Sequence, residues 1–131
     1  MQNHFFLFLL FFSFSGSLFS QDINSQIDLI AKKADSIRII DPNMALKFIE
    51  DLDSLLSLYP DDKFQIRSYT MRSKTLKSLG DDEAAKIYTE KVLALASPIK
   101  DTISLLNGYS GLASYYAKKM IYPLLNLIMK K

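Results

Sequence analysis

The chain has 131 residues, with 16 Lys and Arg against 14 Asp and Glu, so its formal net charge is only +2. This surplus is too small to indicate nucleic-acid binding, and the length suits one domain with its own core. The chain has no cysteine and one histidine, His4. A disulfide-stapled fold is therefore excluded, and beyond residue 4 so are Ser-His-Asp and Cys-His catalysis and the usual zinc ligand sets.

Residues 1–20 form an apolar leader without Asp, Glu, Lys or Arg. The run from Phe5 to Phe19 is shorter than the roughly 20 residues that span a bilayer. It is typical of a secretory signal peptide, with Ser20 as the small residue before the cleavage site. We therefore predict an exported protein, periplasmic or extracellular, with its mature domain at 21–131. Because no Lys or Arg precedes the apolar run, a membrane anchor at residues 5–19 is the alternative.

The first of three predicted helical hairpins covers residues 24–59. Its first helix is indicated by apolar residues in alternating steps of four and three, at Ile23, Ile27, Ile30, Ala34 and Ile37. Asp41 and Pro42 then supply the N-cap and the first position of a second helix. The positions expected to be buried in this second helix are Ala45, Phe48, Ile49, Leu52, Leu55, Leu56 and Tyr59.

The second hairpin, residues 62–97, has the clearest turn. Gly80 suits the left-handed residue that ends a helix, and Asp81 can cap the helix that follows. The expected apolar positions are Tyr69, Leu76 and Leu79 in its first helix and Ala85, Tyr88, Val92 and Leu95 in its second.

The third hairpin, residues 101–131, begins at Asp101 after the Ser97-Pro98 break and is predicted to be incomplete. Its first helix is expected to bury Ile103, Leu106, Tyr109, Leu112, Ala113 and Tyr116 and to end near Lys119, so that Tyr115 is the exposed tyrosine. A short helix from Pro123 to Lys131 then closes the hairpin and is apolar on most sides. Such an end indicates either a truncated form of a longer array or docking on a partner or a second copy.

The three hairpins share one period. Ala45 and Ala85 occupy equivalent places at 85 − 45 = 40 residues, and the same step leads to Leu125. Over roughly residues 24–131 the chain resembles the tetratricopeptide repeat family, because Tyr109, Leu112, Ala113 and Tyr116 follow the spacing of that family's first helix. The step exceeds the family's usual 34 residues, as in the looser helical repeats of bacterial sensory proteins. The resemblance implies an all-α, right-handed solenoid that binds other proteins.

In solenoids of this family the first helices of the hairpins line a concave groove. The resemblance therefore implies a partner-binding groove at Arg67, Thr70, Lys74, Lys77, Asn107, Ser110, Ser114 and Lys118. Such cations and small polar groups can hold a peptide carboxylate or acidic side chains. The alternative is a solvated helix face that is basic by chance, because the equivalent positions of the first hairpin, Ile27, Ile30 and Ala34, are apolar.

The predicted function is that of a protein-interaction module with no catalytic residues, cofactor or metal. Capping explains the carboxylates at the predicted helix starts, and Asp51 and Asp53 are expected on the outer side of their helix. The sequence contains no calcium loop and no glycine-rich phosphate loop. An alternative function is the sensory N-terminal part of a larger membrane-bound signalling regulator, of the histidine kinase or helix-turn-helix type.

Overall fold

The structure is a computed structural model that describes residues 21–130. Within this range it contains five helices and no strand: α1 (21–37), α2 (Pro42–Leu58), α3 (Asp62–Ser78), α4 (Asp82–Ala96) and α5 (Thr102–Met129). The predicted all-α class is confirmed. The signal peptide predicted at residues 1–20 lies outside the described residues.

The last four helices all begin at an aspartate N-cap. In each case an aspartate carboxylate accepts a hydrogen bond from the backbone N–H three residues further on, at 2.9–3.2 Å, and the caps are Asp41, Asp61, Asp81 and Asp101. An N-cap of this kind stabilises a helix by about 1 kcal/mol. Because the caps recur every 20 residues, one predicted repeat corresponds to two successive helices.

Consecutive helices pack against each other, α2 on α3, α3 on α4 and α4 on α5. A first apolar cluster joins α1 and α2 and takes in Met71 of α3. A second cluster joins α3 to α4 through Ile66, Val92 and Ala96, with Leu105 of α5 packed against it. The core thus continues through the series of helices.

The register of burial repeats between α2 and α4. The buried residues of α2 are Ala45, Ile49, Leu52 and Leu56, and those of α4 are Ala85, Thr89, Val92 and Ala96. Each residue of the first set stands 40 positions before its counterpart in the second. The repeat predicted from Ala45 and Ala85 is therefore present in the packing of these two helices.

The core positions predicted for α3 are only partly right. Tyr69 and Leu76 are half-buried and Leu79 is exposed, whereas the buried residues are Ile66, Ser68, Met71 and Thr75. Ser68 and Thr75 can be buried because their hydroxyls are satisfied, the first by Asp53 and the second by the carbonyl of Met71 at 2.8 Å. A search for an apolar stripe passes over such residues.

The predicted break before Pro123 is wrong. Thr102–Met129 is one continuous helix with Pro123 inside it, so the described residues of 101–131 do not fold back as a hairpin. A proline removes a single backbone N–H and strains one turn, and the preceding residues from Ala117 to Tyr122 include no Gly, Asn or Asp that would end a helix.

The face of α5 predicted to be buried is mostly exposed. Ile103, Leu106, Tyr109 and Tyr116 expose between 50% and 74% of their surface, and Ala113 is exposed too. α5 instead turns Gly108 and Gly111 toward α4, where Leu93 and Thr89 lie against them. The predicted face is the one that a folded-back second helix would cover, and the continuous α5 supplies no such helix.

Candidate functional site

Six of the eight residues predicted for the groove line one cleft between α3 and α5. They are Thr70, Lys74 and Lys77 on α3 and Asn107, Ser110 and Ser114 on α5. The cleft has a volume of about 340 Å³, and its remaining lining residues are Ser73, Thr89, Val92, Gly108 and Gly111. We call it the α3–α5 cleft.

The cleft exists because α3 and α5 both pack on α4. The α3 residues follow each other at steps of four and three and those of α5 at steps of three and four, so each set lies on one helix face. Thr89 and Val92 of α4 close the cleft from below. Gly108 and Gly111 bring the backbone of α5 close to α4 and leave its wall without side-chain bulk. The spacing of two glycines within a helix was the signal for this approach, and the sequence analysis missed it.

The charge of the cleft is positive. Lys74 and Lys77 are its charged residues, and no carboxylate is among the lining residues. Lys77 Nζ donates to Ser114 Oγ at 2.8 Å and so links the two walls. Lys74 is exposed and forms no ion pair with any residue in the range 21–130. The two ammonium groups therefore keep donors for a ligand.

The hydroxyl groups deeper in the cleft are already bonded within the protein. Ser73 Oγ donates to the carbonyl of Ala85 at 2.9 Å and lies 2.7 Å from Thr89 Oγ1, and Thr70 Oγ1 donates to the carbonyl of Ile66. In contrast, the side chains of Asn107 and Ser110 have no hydrogen-bond partner within the part of the chain that the structure describes. These two groups and the lysines are the ones that can reach a ligand.

Arg67 lies outside the cleft. Its Nη1 is 2.8 Å from Asp28 Oδ1, so this guanidinium joins α3 to α1. Hydrogen bonds from Lys32 and then from Arg67 lower the pKa of Asp28. The predicted equivalents Ile27 and Ala34 are core residues, and the α1 side chain beside Arg67 is an acidic one.

Lys118 lies beside the cleft and is held by Asp82 at the start of α4. This hydrogen bond raises the pKa of Lys118. The residue lines a small adjoining pocket of about 30 Å³, which shares Lys77 and Ser114 with the α3–α5 cleft. Lys118 thus contributes to the positive border of the site while its ammonium group is engaged.

A second polar cluster joins α2, α3 and α4, and the prediction for Asp53 was wrong there. Asp53 is half-buried, accepts from Arg72 Nη2 at 2.6 Å and also accepts from Ser68. Arg72 Cζ lies 5.2 Å from the ring centroid of Tyr88, over which Lys91 Nζ also lies at 4.6 Å. These contacts hold helices together, since an arginine on a packed face needs a carboxylate partner.

The tyrosines of α5 are placed opposite to prediction. Tyr115 is half-buried, donates to Glu83 Oε1 and accepts from Lys119 Nζ at 3.0 Å. The hydrogen bond from Tyr115 lowers the pKa of Glu83. Tyr109, Tyr116 and Tyr122 are the exposed ones.

Two further searches covered only residues 21–130. No group of three His, Cys, Asp or Glu side chains there could hold a metal ion. No helix in that range is both long and apolar enough to cross a membrane.

Comparisons with protein-family models, with curated proteins and with solved structures found no match. The resemblance to tetratricopeptide repeats therefore stays a prediction. The arguments on function depend on the chain's own residues.

Proposed function

We propose that this chain is an exported helical-repeat protein that binds a protein partner through an acidic segment held in the α3–α5 cleft. It performs no catalysis of its own, and its hairpins stack in a right-handed, tetratricopeptide-like manner. The observation that carries the proposal is the pair of lysines, Lys74 and Lys77, in a cleft whose lining includes no carboxylate. The apolar leader at residues 1–20 supports export.

The chemistry of the cleft favours a carboxylate. The ammonium groups of Lys74 and Lys77 can form charge-assisted hydrogen bonds with it, which are about twice as strong as neutral ones. The hydroxyl of Ser110 and the amide of Asn107 add donors on the opposite wall. With about 340 Å³ the cleft is at the small end of ligand sites, so it suits one or two acidic side chains of a peptide.

A direct test measures binding of a fluorescein-labelled peptide of alternating Glu and Ser by anisotropy at low salt. The same peptide with Gln in place of Glu is the ligand control. We expect the wild-type chain to bind the Glu peptide and the double variant Lys74→Glu/Lys77→Glu to bind it at least tenfold more weakly. Each lost charge-assisted hydrogen bond costs about 1.5–3 kcal/mol, and tenfold corresponds to about 1.4 kcal/mol.

The matched control is the double variant Lys33→Glu/Lys47→Glu. It changes the net charge by the same amount, and both lysines are exposed on α1 and α2, away from the cleft. It should bind the Glu peptide nearly as well as wild type. An equal loss in both double variants would show attraction to net charge alone, and equal binding by wild type and the cleft variant would exclude the cleft as the site.

The alternative function, the sensory part of a larger membrane-bound regulator, has no separate observation in its favour within residues 21–130. It stays a prediction from the resemblance.

A further inference from the structure

An uncovered apolar stripe runs along α5, away from the positions that contact α4. It is formed by exposed side chains at Leu106, Tyr109, Ala113, Tyr116, Met120 and Leu127, which we call the α5 stripe. Four of these residues, 106, 113, 120 and 127, are seven positions apart, and the two tyrosines lie three positions after the first two. This is the spacing of a helix that pairs with another helix along a seam.

The stripe is also free of charge. α5 contains no Asp or Glu, and its internal cations Lys118 and Lys119 turn toward α4, where they pair with Asp82 and Glu83. An apolar partner surface would therefore meet no unpaired charge on the stripe. A second copy of α5 has this uncharged character itself, so two stripes are compatible.

The repeat shows what covers the corresponding face one step earlier. Moving back 40 positions places Tyr109, Ala113 and Tyr116 on Tyr69, Ser73 and Leu76 of α3. That face is covered by the antiparallel α4, because Tyr69 meets Tyr88 at 5.7 Å between ring centroids and Ser73 reaches the carbonyl of Ala85. The residues that the period assigns to a covering helix after α5, from position 123 onward, instead continue α5 itself and cannot fold onto their own stripe.

We infer that the α5 stripe is covered by α5 of a second copy of this chain. The two helices run antiparallel about a two-fold axis, so that residues 123–129 of each copy lie on the other where α4 lies on α3. Such an exchange of equivalent segments is a low-cost route to a symmetric dimer. The inference concerns a different side of α5 from the cleft, so it does not depend on the proposed function.

The repeat also places the axis. Moved by one repeat, the contact of Ser73 with Ala85 becomes one of Ala113 with Leu125, whose midpoint is residue 119. The contact of Ser73 with Thr89 becomes one of Ala113 with Met129, whose midpoint is residue 121. The two copies of Met120 therefore lie next to each other at the axis.

The first test is sedimentation velocity of the purified full chain over a range of concentrations. We expect wild type to be a dimer and Met120→Lys to be a monomer with unchanged helicity, because Met120 is 70% exposed in the single chain. Ile87→Lys, at an exposed apolar residue of α4, is the matched control and should remain dimeric. A monomeric wild type, or equal masses of wild type and Met120→Lys, would overturn the inference.

The second test fixes the orientation and uses the absence of cysteine from the chain. Met120→Cys should form a disulfide between copies on mild oxidation, since a disulfide needs Cβ atoms about 3.5–4.5 Å apart. Tyr109→Cys should not, because residue 109 is 11 positions from the axis and its two copies then lie about 33 Å apart. Cross-linking of both variants would indicate a parallel pair, and cross-linking of neither would exclude the α5 contact; either result contradicts the inference.

Discussion

Two glycines determine how closely α5 approaches α4. A Cβ at residue 108 would lie 2.5 Å from Leu93 Cδ2 and 2.8 Å from its Cγ, whereas a Cβ at residue 111 would lie 3.2 Å from Thr89 Cγ2. The first contact requires the branched part of Leu93 to move, and the second requires a shift of a few tenths of an ångström. The α3–α5 cleft therefore depends most on Gly108.

We predict that Gly108→Ala lowers the free energy of unfolding by about 1–2 kcal/mol. Overpacking costs about 1–3 kcal/mol, and this exceeds the gain of at most about 1 kcal/mol from replacing glycine within a helix. Gly111→Ala is the matched control and should change the stability little, since its contact is milder. Urea denaturation of both variants measures the difference. A Gly108→Ala chain as stable as Gly111→Ala would show that α5 does not lie this close to α4.

Residue pairing across helices is the part that sequence patterns describe least well. Asp53 and Arg72 are 19 positions apart, and their contact depends on the rotation of α2 and α3 about their axes. The presence of Arg72 at a position where the repeat pattern has leucine indicated a packing difference, but not its partner. Arg67 was misplaced for the same reason, because its partner Asp28 is on α1.

At the scale of helices, local signals predicted α2, α3 and α4 well. Their starts are fixed by side chains that bond to backbone groups three residues away, and Gly80 with its positive φ of 84° ends α3 as predicted. α5 was predicted less well because its limits depend on what surrounds Pro123. The buried side of α5 was assigned from the family pattern, which assumes a following helix, and so the exposed side was taken for the core.

The aspartate caps predict how the helices respond to acid. Hydrogen bonds from the side chain and then the backbone N–H of Ser104 lower the pKa of Asp101 from its usual value of 3.8. A carboxyl whose pKa is lower in the folded state adds stability above its unfolded pKa, and this contribution is lost as the pH falls through the folded pKa. The melting temperature should therefore decrease below about pH 4.

Asp101→Asn separates the cap of α5 from its titration, because asparagine also caps helices but carries no charge. We expect this variant to melt near the wild-type temperature at pH 7 and to lose less stability than wild type below pH 4. Thermal melts followed by circular dichroism at several pH values measure both. Identical acid sensitivity of the two chains would mean that Asp101 is not bonded to Ser104 as the structure has it.

For the whole molecule, the order of packing could be predicted because short connections of a few residues force neighbouring helices together. The α3–α5 cleft could be predicted in outline, since the groove of tetratricopeptide-like hairpins is lined by alternate helices, here α3 and α5. Its depth could not, because the depth depends on Gly108, Gly111 and the small residues of α4. The uncovered stripe of α5 likewise follows from a helix that continues where a turn was expected.

The binding cleft between α3 and α5 is tested most directly by amide NMR of the isotope-labelled chain during titration with the Glu-Ser peptide. We predict that the largest shift changes fall on the cleft residues, above all Thr70, Lys74, Lys77, Ser110 and Ser114, and that the Gln-Ser peptide leaves them unchanged. Shift changes confined to the α5 stripe or spread evenly over exposed lysines such as Lys33 and Lys47 would contradict the account.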